Sequence, residues 1–211
     1  MSTNYSKNGE ILFIGNEKLS DYLKRKQTEL INNQFRIITN NFDLKKGKKI
    51  LEFGCFHGLL TEMINKKSKS RCIGIDVNLL RKIKNILKYN GKKIPFKKSY
   101  FDYFVAFEVI EHLVDAEASI KEINRVLKKG GEGIVSTPNK FMIAALDNAH
   151  NSLIGHLKQI FKIRPECIKM YSYHELTKLF KNNGFSYKLL SNKPFWIKRG
   201  FIFILKKEKD L

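Results

Sequence analysis

Acidic residues are scarce in this sequence: 20 aspartates and glutamates stand against 40 lysines and arginines, a formal net charge of +20 over 211 residues. An imbalance of that size fits an anionic partner, whether RNA, an anionic membrane surface or a phosphorylated substrate. A codon usage rich in Lys, Asn and Ile also raises lysine without any selection for binding, although it should supply Glu and Asp as well, which are outnumbered 40 to 20. Cysteine is scarce as well. Cys55, Cys72 and Cys167 are an odd number without metal-type spacing, which excludes a disulfide framework or a zinc knuckle and fits free thiols in a reducing cytoplasm. No apolar run approaches the ~20 residues of a membrane helix. The start, MSTNYSKNGE, has no apolar core of the kind an export signal needs. Internal repeats and low-complexity linkers are absent too. The chain therefore reads as one globular domain over residues 1–211, cytoplasmic and, given its charge, able to sit peripherally at a membrane.

What is present is an alternating rhythm. Residues 17–41 carry Leu19, Leu23, Leu30, Ile31, Ile37 and Ile38 among polar neighbours, which predicts one or two amphipathic helices. Ile50 to Phe53 is a short apolar run ending in glycines, a buried strand by length and flanks. Cys72 to Ile75, residues 86–89, Tyr103 to Phe107, and Gly133 to Ser136 read as four more. Residues 58–67 and 115–128 read as helices, the second closed by Gly130-Gly131. The stretch NLLRKIK, Asn78 to Lys84, leaves room for a helix of only a turn or two. A helix over 173–182 is followed by strands near 185–190 and over Phe201 to Leu205, joined closely enough to be antiparallel neighbours. The expected fold is α/β: a Rossmann-like, doubly wound sheet of mostly parallel strands with an antiparallel last strand. Residues 17–41 form N-terminal helices, and 138–172 form a helical insert after the fifth strand.

In such a sheet ligands bind beyond the carboxyl ends of the strands, where strand order reverses. The loop after the first of these strands reads ILEFGCFHG, and its glycines permit a sharp turn and close approach to a ligand. After the second, GID ends in Asp76, placed to accept both hydroxyls of a ribose. A nicotinamide fold would want G-x-G-x-x-G in the first loop, which offers only Gly54 and Gly58.

These motifs resemble those of the class I S-adenosylmethionine-dependent methyltransferases. The family's first motif is E/D-x-G-x-G-x-G; Glu52, Gly54 and Gly58 match it, and Phe56 stands at the middle glycine. The run YNGKKIPFKKSYFDYFVAFEVIEHL resembles the family's polar turn, Ile-Pro-Phe and fourth strand. INRVLKKGGEGIVSTPN and YSYHELTKLFKNNGF resemble its later helices and fifth strand, so the likeness spans about residues 48–190. It implies S-adenosylmethionine as cofactor, with Glu52 organising a turn of Gly54, Cys55, Phe56 and Gly58 around the methionine end. It also implies Asp76 and Val77 at the ribose, Asn90 at the adenine amino group, and Phe107 and Glu108 at the rim.

Glu108, Glu111 and His112 share one face if a helix begins at residue 108. They could cap that helix, or His112 could act as general base toward a hydroxyl. The trio could instead hold a divalent cation against a substrate diol, although a cation is not expected. Quinone-precursor O-methyltransferases and small-RNA 3′-terminal ribose methyltransferases are similar in this trio. The RNA enzymes add a histidine-rich motif for which only His150 and His156 are available here. The insert, with Asn148 and those histidines, reads as a lid or as an ordinary helix pair; Phe195 and Trp196 read as packing near the closing strands. The charge falls before the strands, at Lys45 to Lys49, Lys66 to Arg71, Lys97-Lys98 and Lys128-Lys129, on the rim away from the cofactor. Together these features predict O-methylation of a small-molecule or lipid-linked acceptor. The alternatives are an RNA methyltransferase, favoured by charge alone, and a non-catalytic partner protein of the same fold, suggested by Phe56.

Overall fold

The computed structural model describes residues 3–5, 11–14, 17–78, 84–139, 168–190 and 200–211. Where the sequence reads as one domain, these residues fall into two compact units, 1–41 and 42–211. The first begins with three short strands that sequence reading misses: β1 (Thr3–Tyr5), β2 (Ile11–Ile14) and β3 (Glu17–Lys18), paired antiparallel in that order. Pairs as short as Phe13 with Lys18 and Ile14 with Glu17 leave no periodic signature in the sequence. A single helix, α1 (Leu19–Asn41), follows. Near its end Asn41 Nδ2 donates to the Ile37 carbonyl at 2.8 Å, a side-chain bond of the kind that closes helices.

The second unit is built on strands that are apolar because both of their faces are covered. β4 (Lys49–Phe53), β5 (Arg71–Asp76), β6 (Ile86–Lys88), β7 (Phe101–Phe107) and β8 (Leu127–Pro138) are mutually parallel. β9 (Phe185–Leu189) and β10 (Gly200–Lys207) complete the sheet, with β10 antiparallel to both β8 and β9, as expected. The order is β6-β5-β4-β7-β8-β10-β9, so the winding reverses between β4 and β7.

Helices cover both faces. Leu51, Phe53, Phe104 and Val135 join one core with Ile120 and Ile123 of α3 (Ala116–Val126) and Phe180 of α4 (Tyr173–Asn182). Alternate strand residues face the other way, where Cys72 Sγ lies 3.9 Å from Thr61 Oγ1 of α2 (Leu59–Lys67). The helix starts are chemically specified. Asp115 caps α3 by accepting from the Ala118 N–H at 2.9 Å. Ser172 and Glu175 form a capping box on α4, the Glu175 carboxylate accepting from the Ser172 N–H at 2.8 Å.

Two expectations need correction here. Gly130-Gly131 does not close the preceding helix, which ends at Val126; it lies inside β8. Leu127 pairs with Phe101 and Glu132 with Tyr103, so Lys128 to Gly131 loop out as a bulge, with Gly130 at φ 71°. No helix starts at residue 108 either: a 3₁₀ turn covers Ile110–His112, and α3 begins only at Ala116. The expected short helix over 78–84 and the insert over 138–172 lie mostly outside the described residues. So do His150, His156, Asn148, Cys167, Phe195 and Trp196.

One anchor is not visible in the sequence. Lys207 is fully buried, and its ammonium donates to the carbonyls of Asn124 at 2.7 Å and Leu127 at 2.8 Å, where α3 ends. Asn124 Nδ2 in turn donates to the carbonyls of Asn183 at 2.9 Å and Lys209 at 3.1 Å. A cation at a helix carboxyl end satisfies both the free carbonyls and the helix dipole, so these bonds join α3, the end of α4 and β10.

Candidate active site

The turn between β4 and α2 lies at the reversal point. Its backbone is set by two N–H groups, of Gly54 and Cys55, which donate to the Ile75 carbonyl at 2.9 and 3.1 Å. Gly54 has φ 76°, and a Cβ there would fall 2.5 Å from Val109 Cγ2, so glycine is required twice over. Gly58, at φ 72°, is the residue from which α2 starts. Between them Phe56 adopts φ 46° without being glycine. The substituted middle glycine thus keeps the left-handed backbone and carries its strain, of order 1–2 kcal/mol. The Phe56 side chain is 46% exposed and its ring packs edge-on to His57, with centroids 3.8 Å apart.

Glu52 lies beneath this turn. It is 8% exposed, and the Thr61 hydroxyl of α2 donates to it. Burial pushes its carboxyl up to about 8, against the Thr61 bond, which pulls the other way. Glu52 therefore holds the turn to α2 as a largely neutral acid. Cys55 is buried beside it, and desolvation drives its thiol well above the ordinary value.

Asp76, at the end of β5, links two loops. Its Oδ2 accepts from the Phe56 N–H at 2.8 Å and its Oδ1 from the Asn78 N–H at 2.9 Å. A carboxylate has about four acceptor directions, so two remain for the hydroxyls of a ribose. Val77 beside it is 43% exposed. Asn90 is on the next loop, where its Oδ1 accepts from the N–H groups of Lys92 and Lys93, both at 3.0 Å. That oxygen shapes its own turn, and an adenine amino group would have to share it.

Across the reversal point, Phe107 ends β7, and Glu108 turns back with φ 55°. The Glu108 N–H donates to the Ser136 carbonyl at 3.0 Å, and Ser136 Oγ donates to Glu108 Oε1 at 2.8 Å. Glu111 points inward, 2% exposed, and accepts from Thr137 Oγ1 at 2.9 Å. His112 is partly exposed, with Nε2 3.9 Å from Glu111 Oε1. The trio therefore does not form the single face that a helix would have given. Glu108 lies before the 3₁₀ turn in left-handed backbone and is held by β8. Among the described residues no group of three or more His, Cys, Asp or Glu side chains is gathered to hold a metal ion.

Thr61, Val109, Ser136 and Thr137 were not singled out by sequence. Ser136 and Thr137 had a signal: two polar residues ending an apolar strand, both fully buried and each bonded to an acid. A groove of about 520 Å³ lies between the starts of α3 and α4, lined by Leu113, Val114, Ile168 and Leu179 among others. None of the residues of the Glu52–Gly58 turn lines it.

A parallel sheet with a glycine turn over a buried acid at its reversal point, and a second acid on the next strand, defines a nucleoside-cofactor-binding α/β protein. The parts fit S-adenosylmethionine: left-handed backbone that lets a ligand approach, an α2 start at Gly58 without a side-chain cap, and spare acceptor positions on Asp76.

Comparison with known proteins makes the assignment specific. A methyltransferase-domain family model matches residues 22–189, and the chain belongs to that family. The ubiquinone biosynthesis O-methyltransferase of Pelagibacter ubique is 29% identical over 79% of this chain and 73% of its own length. The ubiquinone/menaquinone biosynthesis C-methyltransferase of Rickettsia prowazekii is 28% identical over 70% of this chain and 66% of its own. Among the curated relatives compared, the chain spans from 73% down to 30% of their length. A crystal structure of an S-adenosylmethionine-dependent methyltransferase from Aquifex aeolicus superposes with a TM-score of 0.59 at 18% identity, over 84% of this chain and 90% of that one. The protein is an S-adenosylmethionine-dependent methyltransferase with the Rossmann-like fold of that class.

Proposed function

We propose that this methyltransferase acts on an oxygen atom of a small or lipid-like acceptor, with His112 as the base. The observation that carries this reading is the placement of His112 at the carboxyl end of β7, one loop from Gly54, beside a carboxylate fixed by Thr137. The name of the Pelagibacter relative supports an oxygen acceptor; that of the Rickettsia relative keeps carbon as the competitor.

S-adenosylmethionine, when bound, supplies an electrophilic methyl group on a sulfonium sulfur. The chain's task is alignment and one proton. Glu52 and Gly54 fix the turn, Asp76 offers its free acceptor positions to the ribose, and Glu108, locked by Ser136, shapes the rim. A hydroxyl nucleophile must shed a proton as it attacks; His112 accepts it, and Glu111 stabilises the imidazolium that results. A carbon or amine acceptor makes no such demand on His112. Among the described residues no helix is long and apolar enough to cross a membrane. The buried free thiols of Cys55 and Cys72 support a reducing cytoplasm as its location.

The test is methyl transfer to catechol-type quinone precursors, to quinol ring-carbon acceptors and to RNA. Turnover on the hydroxyl acceptors alone supports the reading; turnover confined to carbon or RNA acceptors overturns it.

A further inference from the structure

The charge excess has a place in the fold that methyl transfer does not use. In a parallel sheet the strands start, and the connecting helices end, at one rim. β4 starts at Lys49, β5 at Arg71, β7 at Phe101 and β8 at Leu127. The lysine-bearing loops before them therefore stand side by side, at the rim opposite Gly54 and Asp76. β10 runs the other way and brings its end to the same rim: Lys206 pairs with Glu132, and Asp210 meets Lys98 at 3.0 Å. At about 4.8 Å per strand, the row from β5 across β4, β7 and β8 to β10 is ~20 Å long.

Part of this charge has structural work. Asp102 takes Lys128 at 2.8 Å and Lys48 at 3.5 Å, and Asp43 takes Lys45 at 2.7 Å. The rest does not. Lys46, Lys66, Lys69, Arg71, Lys97 and Lys129 are exposed and make no ion pair among the described residues. Lys206, from the last strand, and Lys209, just after it, are the same. A helix-end dipole accounts for Lys66, in the last turn of α2, and for none of the others.

We propose that this rim is an electrostatic docking face for an anionic lipid bilayer. Strand starts and helix ends share this rim, so the free cations gather on one side of the sheet. All but Arg71 are lysines, compact point charges suited to a diffuse anionic surface. A phosphate-backbone site favours the bidentate fork of arginine and aromatic platforms for bases. The rim's aromatics are covered: Lys49 Nζ lies 4.1 Å from the Tyr100 ring centre, and Phe42 stacks on Tyr103 at 4.4 Å. Phe56 and Val77 are exposed at the opposite, cofactor edge, and on the rim Leu211, beside Asp210, is a single exposed apolar side chain among these lysines, so docking is by charge. It leaves the cofactor edge facing away from the bilayer and does not rest on the identity of the acceptor.

The test is co-sedimentation of the full chain with vesicles of phosphatidylcholine containing about 30% phosphatidylglycerol, and with pure phosphatidylcholine. Two variants of equal net charge are compared, Lys46→Glu/Lys69→Glu/Lys97→Glu/Lys129→Glu on the rim and Lys88→Glu/Lys92→Glu/Lys178→Glu/Lys188→Glu elsewhere. Circular dichroism and thermal melts establish that both are folded. Each cation near such a surface is worth ~5-fold in partitioning, so the rim variant should lose ~100-fold or more, and the control less than about threefold. Wild-type binding should vanish near 1 M salt, where the screening length is ~3 Å. Equal loss in both variants, no wild-type binding to anionic vesicles, or displacement from vesicles by an RNA duplex at equal phosphate would each overturn the proposal.

Discussion

Replacing Glu52 by glutamine removes one ionisable group from beneath the cofactor turn and leaves its shape and its acceptor for the Thr61 hydroxyl. The wild-type carboxyl is 8% exposed, and burial pushes it from 4.5 up to about 8. Between those values the folded protein keeps a proton that the unfolded chain releases. The folded state therefore binds more protons, and stability falls as pH rises through that window, levelling off below about 4.5 and above about 8. At about 1.4 kcal/mol per unit of difference, the full loss is on the order of 5 kcal/mol. Of that, about 2.5 kcal/mol falls between about pH 5 and 7, and a further ~1.4 kcal/mol between about pH 7 and 9. Glu52→Gln has nothing to ionise there and should lack this slope, equalling wild type near pH 5 and exceeding it by several kcal/mol near pH 9. Urea unfolding followed by fluorescence, at one-unit steps from about pH 5 to 9, reads the difference directly. Parallel pH dependences in the two proteins, or a wild type that gains stability toward pH 8 relative to the variant, would refute the neutral buried acid.

Gly54→Ala should cost about 3 kcal/mol, from left-handed backbone together with a Cβ 2.5 Å from Val109 Cγ2. Adding Val109→Ala should restore the steric part alone, as thermal melts will show. His112→Ala should lower kcat on a hydroxyl acceptor by ~10²- to 10⁴-fold while leaving S-adenosylmethionine affinity within about twofold. A change in kcat below about threefold would remove His112 from the chemistry. Lys207→Met strips the donor from the Asn124 and Leu127 carbonyls and should destabilise by about 2–4 kcal/mol in chemical denaturation; an unchanged midpoint would contradict the anchoring role.

The parallel strands were legible because burial on both faces leaves nearly unbroken apolar runs such as Ile50 to Phe53 and Tyr103 to Phe107. Asp76 was legible for a related reason: it is the first charge after such a run, at the carboxyl end where ligands bind. The start of β8 was not. Lys128 to Glu132 is polar and glycine-rich and reads as a helix stop, yet pairing with Phe101 recruits Leu127 into the strand and expels the glycines as a bulge. The Glu108, Glu111 and His112 spacing is helical on paper. It fails because Ser136 on β8 holds Glu108 in left-handed backbone, a tertiary constraint that spacing cannot carry. The partners of Glu52 and Glu111, Thr61 and Thr137, lie 9 and 26 residues away, and only the fold brings them near. Phe56 is the instructive departure. It stands where the family has its middle glycine, yet it takes positive φ and its N–H is held by Asp76.

The most direct test of the central claim is titration calorimetry of the whole chain with S-adenosylmethionine, alongside Asp76→Ala. The turn of Glu52 to Gly58 and the free acceptors of Asp76 predict saturable binding at about one site per chain in wild type, weakened ~10-fold or more in the variant. Absence of binding by wild type up to about 1 mM cofactor, or equal binding by both proteins, would contradict the site described.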